Sequence, residues 1–353
     1  MKIKLAILEK DVNYLNRIVA VFNTKFADNF EVYSFTDQAV ALATLESSKI
    51  DVLLASDAFE ISVKNLPRRC SFAYFVDSMD VDTVNGQTAI CKFQRIDLIY
   101  KQILSIYSEK SVTVSGLRME DGSVKTIIFS SPCGGAGTST MAVSCATHFA
   151  SKGKKTLYLC LEKFGMSDVF FSAEGQFGMS DIIYALKSKK ANLPMKLESC
   201  VKRADNGVYF FAGSKLALDM FELTQEDITR LIAELTISGS YDYVIVDIDF
   251  SLSREAIQLY KKAHALVWVG DGTETSNLKI QRAFSAVCVL EQNADAPLMN
   301  RLGMIYNKFS NKTGQAVGDI GIRNIGGAPR YEHASAAQII GQLSGMEMFD
   351  KII

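Results

Sequence analysis

The stretch Lys125 to Thr140, KTIIFSSPCGGAGTST, decides how this 353-residue chain is read. An apolar, β-branched run ends in a glycine-rich loop, which opens into small residues able to start a helix. A strand, a loop and a helix in that order make a holder for anions. Glycines at 134, 135 and 137 let successive backbone N–H groups turn inward with no Cβ in the way. The helix that follows aims its unpaired N-terminal donors and the positive end of its dipole at the same point. A phosphate group suits such a place.

Two further strands carry acids to the same edge. The helix through Met141, Cys145, Ala146 and Phe149 closes at Gly153 and is followed by LYLCLE, which puts Glu162 at a strand's carboxyl end. Later the apolar run Tyr243 to Val246, within YDYVIVDID, delivers Asp247 and Asp249 to the same edge of a buried parallel sheet, where open α/β folds place their ligands. An acid there can bind Mg²⁺ beside a triphosphate. A dinucleotide-binding βαβ unit would also have a glycine-rich turn and would make Glu162 a ribose ligand. Its fingerprint fails: Thr140 stands where a third small residue belongs, and Ser139, Asp247 and the Asn307 of GMIYNKF go unexplained.

From about Val124 to near the C-terminus the chain resembles the MinD/ParA group of deviant P-loop ATPases. The family loop reads Lys-Gly-Gly-x-Gly-Lys-Ser/Thr-Thr. Here it reads Cys133-Gly134-Gly135-Ala136-Gly137-Thr138-Ser139-Thr140, keeping every glycine and the hydroxyl pair and losing both lysines. The resemblance implies that these eight residues bind the phosphates of ATP and that Ser139 and Asp247 ligate Mg²⁺. Glu162 stands where the family has the aspartate that positions the attacking water, and Cys160 replaces the other aspartate of that strand. GMIYNKF resembles the strand end at which the family's asparagine reads the adenine edge, which makes Asn307 the base contact. Pro329 and Arg330 of GGAPRYEH would lie against the base.

The missing lysines set the expected activity. Thr138 replaces the lysine that reaches the β- and γ-phosphates, and Cys133 replaces the signature lysine that reaches across a dimer to the partner's nucleotide. Losing one charged hydrogen bond costs about 1.5–3 kcal/mol, so ATP binding survives on loop amides, helix dipole and metal. Transition-state stabilisation suffers more, because cationic groups on the transferring phosphate are worth roughly 10³–10⁵ in rate. Slow or absent hydrolysis is expected.

The N-terminal third has another character. KLAILEKD, FEVYSF, KIDVLLAS, SFAYFVDS and QTAICKFQRIDLIYKQIL alternate apolar strands with amphipathic segments at the spacing of a flavodoxin-like domain. This part resembles a response-regulator receiver: Glu9 and Asp11 fall near its acidic pair, and Lys92 matches its lysine after the fifth strand. The phosphoacceptor position, five residues past Asp51, is Ser56; Asp57 comes one residue late and faces the other way on a strand. An atypical receiver that is not phosphorylated is expected, with Lys92 solvated or locally paired. Joined to a MinD/ParA-like domain, it resembles the TadZ/CpaE group of pilus-assembly proteins. That resemblance implies a homodimer, pilus-assembly or secretion partners of the tight-adherence type, and concentration at a cell pole. The alternative is a true ATPase switch in cell-division or flagellar positioning.

The reading is therefore an α/β protein: a flavodoxin-like receiver at 1–107, a polar linker at 108–122, and a doubly wound P-loop NTPase sheet of the MinD/ParA type at 123–353. A net charge of −1 with 48% hydrophobic residues suits two ordinary cores and gives no basic surface for nucleic acid. The lysines at 187, 189 and 190 complement a helix C-terminus, and Trp268 of ALVWVGD belongs to a buried strand. MKIKLAILEK has too short an apolar core for a signal peptide, and no run is long enough to span a membrane. FDKII lacks the basic face of an anchoring helix. Seven cysteines scattered without metal spacing indicate a reduced, cytoplasmic protein. With His148, His264 and His333 dispersed, neither Cys133 nor Cys160 has a base to make it a nucleophile.

Overall fold

The computed structural model describes residues 2–110, 124–188, 192–291, 298–318 and 320–353. From residue 111 on, the linker read at 108–122 lies outside the described residues, as do Lys189 and Lys190. The chain forms two compact units, Met1–Val114 with Ser188–Cys200, and Ser115–Lys187 with Val201–Ile353.

In the first unit, β1 (Ile3–Leu8), α1 (Val12–Lys25), β2 (Phe30–Phe35), α2 (Gln38–Ser47), β3 (Val52–Ser56), β4 (Ser71–Val76), the hairpin β5 (Thr83–Val84) and β6 (Gln87–Cys91), and α3 (Ile96–Lys110) follow in order. The sheet order is β2-β1-β3-β4-β6-β5, parallel except for β5 against β6. Successive strand residues point to opposite faces, and both faces are covered. Leu5 and Ile7 pack with Phe22 of α1 and Ile103 of α3, while Ala6 and Leu8 pack with Leu45 of α2. That two-sided burial is why these strands read as continuous apolar runs. Asp11 caps α1, its carboxylate accepting the N–H groups of Asn13 and Tyr14.

The second unit carries β7 (Lys125–Ser130), α4 (Thr138–Ser151), β8 (Thr156–Cys160) and α5 (Met179–Ser188). The next helix, α6 (Leu193–Cys200), returns to the first unit: Met195 packs on its core, and the Lys196 ammonium donates to the buried Ser105 hydroxyl of α3 at 2.7 Å. The second unit continues with β9 (Val201–Arg203), β10 (Tyr209–Phe211), α7 (Gln225–Ile237), β11 (Tyr243–Asp247), α8 (Arg254–Lys262), β12 (Ala265–Gly270), α9 (Glu274–Leu290), β13 (Leu302–Phe309), β14 (Arg323–Pro329) and α10 (Ala336–Ser344). Its sheet order is β14-β13-β12-β7-β11-β8-β10-β9, parallel except for β9 against β10.

Register then positions the chemistry. Asp247 of β11 pairs with Phe129 of β7 on one side and Cys160 of β8 on the other, so the three strands end together. The buried face of α4, with Met141, Cys145 and Phe149, holds that helix on the sheet. Trp268 is fully buried, as its strand pattern requires. All seven cysteines are free. Among the described residues no helix is long and apolar enough to cross a membrane.

Candidate functional site

The loop between β7 and α4 is shaped by two backbone conformations. Gly135 (φ 79°) and Gly137 (φ 85°) are left-handed, which a side chain disfavours. Gly137 also caps α4, and a Cβ on it would collide with the Asn307 amide. That amide donates to the Ala136 carbonyl at 2.9 Å, while Asn307 Oδ1 accepts the N–H of Lys308, also at 2.9 Å. Lys308, itself at φ 56°, donates its ammonium to the Gly135 carbonyl at 2.9 Å. Two successive residues near the end of β13 thus grip two successive loop carbonyls. From the other side, Ser131 Oγ accepts the N–H of Cys133 at 3.0 Å and donates to Val269 of β12 at 2.5 Å.

A cavity of about 380 Å³ opens over this loop, lined by Gly134, Gly135, Gly137, Thr138, Ser139 and Thr140 together with Glu162, Asp249, Phe250 and Lys308. Asp247 lies beneath, fully buried. Its Oδ2 accepts the Tyr158 hydroxyl at 2.8 Å, and its Oδ1 has no hydrogen-bond partner. Burial foremost, and then the Glu162 charge, push Asp247 up to about 7 against the opposing Tyr158 hydrogen bond and the nearby Ser139 hydroxyl. Glu162 is raised as well, by burial first and by Asp249, although Ser139 Oγ donates to its Oε2 at 3.0 Å.

Two crowded acids and an unsatisfied buried oxygen describe a place short of positive charge. Ligand atoms of Cys160, Glu162 and Asp247 lie within 4.8 Å of one another. The oxygens suit a hard divalent cation such as Mg²⁺. The thiol does not: burial pushes Cys160 up to about 12, so it stays protonated, and sulfur is a soft donor. Cys133 turns its thiol into the fold, where Ser276 Oγ lies at 3.3 Å, and burial raises it too. Neither cysteine is poised as a thiolate.

The remaining residues singled out from sequence fall as follows. The loop, Glu162 and Asp247 come together at one place. Asn307 reaches the loop, where its Nδ2 donates to the Ala136 carbonyl, while its Oδ1 accepts the N–H of Lys308. Pro329 lines a separate cleft of about 450 Å³ with Tyr306, Phe309 and Asn324, and Arg330 is exposed. Sequence reasoning missed Tyr158 and Lys308 as members of the site. Tyr158 lies two residues before Cys160 on β8, a period-2 signal for the shared face. Asp249, noted only as a strand-end acid, accepts the Lys163 N–H at 2.9 Å and so holds the backbone beside Glu162.

In the first unit, Ser56 ends β3 buried and Asp57 is exposed. The Lys92 ammonium is 2.8 Å from Glu9, 3.1 Å from Asp77 and 3.4 Å from Ser56 Oγ. The lysine is locally paired with Glu9 and Asp77, and its third neighbour, Ser56, holds the position read above as that of the phosphoacceptor.

Residues 1–108 match the family described as TadZ-like, receiver domain. That stretch of the first unit is a TadZ-like receiver domain. For the second unit, a crystal structure of a ParA family ATPase from Chlorobium tepidum TLS is similar at 19% identity and a TM-score of 0.50, covering 66% of this chain and 97% of that one. The Pyrococcus furiosus cell division ATPase MinD aligns at 15% identity and a TM-score of 0.49, covering 65% and 100%. The septum site-determining protein MinD of Pyrococcus horikoshii OT3, complexed with Mg-ADP, aligns at 17% and 0.49, covering 65% and 93%. None of the curated proteins compared matches the chain. At such identities the likeness to ParA is one of fold: following the TadZ-like receiver in the chain comes a MinD/ParA-type P-loop sheet.

Proposed function

We propose that the protein binds ATP with Mg²⁺ at the β7–α4 loop and acts as a nucleotide-dependent localisation and assembly factor for a pilus system of the tight-adherence type, as a homodimer. The observation that carries the nucleotide reading is the unpartnered, fully buried Oδ1 of Asp247 beneath a glycine loop that opens a helix. Loop amides and the α4 dipole would hold the phosphates. Ser139 and Asp247 would hold the metal, which when bound supplies positive charge to the phosphates, and Glu162 would orient a water. The pilus role rests on the TadZ-like receiver. A second reading, an ATPase switch, is favoured by Glu162 lining the cavity.

Self-association is supported by exposed apolar side chains in the second unit. Phe164, two residues after Glu162, and Phe221 contact each other at a 5.4 Å ring separation while 80% and 50% exposed.

Titration calorimetry with ATP, with and without Mg²⁺, tests the nucleotide reading. Asp247→Asn is expected to abolish the magnesium dependence. The same change removes a buried charge that has no ion-pair partner among the described residues while keeping an acceptor for Tyr158, so the nucleotide-free variant should gain about 1–2 kcal/mol at pH 8. Unchanged magnesium dependence together with unchanged melting would reject the Asp247 assignment. For the receiver, incubation with acetyl phosphate should leave the protein's mass unaltered. A stable adduct on the first unit would contradict the reading of Ser56 and Lys92.

A further inference from the structure

We propose that Lys308 is the phosphate-binding cation of this site, replacing from β13 the charge that the loop lacks at Cys133 and Thr138. The inference rests on the nucleotide reading above and adds to it the residue that meets the phosphates. Among the described residues, the lining of the loop cavity includes two acids, Glu162 and Asp249, and one cation, Lys308. A triphosphate entering such a lining needs positive charge beyond a metal, and the ammonium already stands at the loop. Its hydrogen-bond partner is the neutral Gly135 backbone carbonyl at 2.9 Å, and the Lys308 side chain is exposed. A phosphate oxygen is a stronger acceptor for an ammonium than a carbonyl, because a charge-assisted hydrogen bond is roughly twice as strong as a neutral one. On nucleotide binding the ammonium exchanges one for the other.

The backbone explains why this lysine is there. Lys308 takes φ 56°, a conformation uncommon for a residue with a side chain, and its N–H closes onto Asn307 Oδ1 at 2.9 Å. Asn307 is in turn fixed to Ala136. The turn so formed carries the lysine stem over the loop: Lys308 Cε would lie 3.6 Å from a Cβ placed on Gly137. A P-loop lysine rises from within the loop. This one descends onto it from a strand 173 residues further along the chain.

A purely structural role is separable from a charge role. Glutamine can still donate to the Gly135 carbonyl but brings no charge, whereas arginine brings the charge. Binding of ATP and of inorganic triphosphate would be measured by calorimetry in Mg²⁺ for the wild type, Lys308→Gln and Lys308→Arg, with melting curves of the free proteins. Lys308→Gln is expected to weaken both ligands by about tenfold to a hundredfold with melting unchanged, and Lys308→Arg to recover most of the loss. Affinity should also fall less steeply with salt in the glutamine variant. Wild-type affinity in Lys308→Gln would overturn the assignment while leaving the nucleotide site standing. If the wild type binds neither ATP nor triphosphate, the nucleotide reading itself fails.

Discussion

Purified protein is expected to release phosphate from ATP more slowly than lysine-bearing ParA-type ATPases by about 10³-fold or more. The ground state and the transition state are served differently by this loop. On the proposed reading Gly134 to Thr140 would present amides and hydroxyls to phosphates at rest, and Lys308 stands at the Gly135 carbonyl. As the bond to the transferring group breaks, the family pattern brings two lysines to it; here Thr138 carries no charge and Cys133 points its thiol at Ser276. One ammonium anchored on another strand replaces at most one of the two. On the proposed reading Glu162 would orient the water, so residual turnover should depend on it. Steady-state phosphate release measured beside Glu162→Ala separates the protein's own activity from contamination. Turnover at the rate of lysine-bearing switches, lost in that variant, would defeat the scaffold reading in favour of the ATPase switch.

How much of this was legible depends on the range of the interactions involved. The loop was readable because its constraints are local: left-handed glycines at 135 and 137 and a helix start fit within one short stretch. Glu162 and Asp247 were readable because parallel strands with aligned ends must deliver terminal residues to one edge. Lys308 was not, since nothing in GMIYNKF says that the lysine after the asparagine turns back on a loop far earlier in the chain. The engagement of Asn307 escaped for the same reason. The return of α6 to the first unit was equally hidden: LPMKLESC is a short amphipathic segment whose pattern says that it packs, not on what. At the start of the chain, Asp11 looked like a member of an acidic pair, yet an aspartate just before an apolar-periodic run is also what a helix cap looks like.

Replacing Lys92 by methionine should destabilise the receiver unit by about 3–5 kcal/mol. Burial on its own would lower the lysine's affinity for its proton, but hydrogen bonds to Glu9 and Asp77 outweigh that and hold the ammonium charged. The two acids are not equivalent. The Asp77 side chain is 72% exposed and can return to water, whereas that of Glu9 is 3% exposed and cannot. Glu9 Oε1 accepts the Asp11 N–H at 3.1 Å, which leaves the lysine as the charge that balances a buried carboxylate at the end of β1. Lys92→Met strands that carboxylate, and the cost falls where β1, β3 and β6 end together. Hydrogen exchange followed by mass spectrometry on the full chain reads it as lost protection in these strands, with the second unit's sheet as an internal reference. The double variant Glu9→Gln/Lys92→Met removes both charges and should recover most of the loss, as expected when the penalty is an unpaired charge rather than a missing stem. If the single variant keeps wild-type protection, or the double variant fares no better than the single one, the Glu9–Lys92 pair does not hold this unit together.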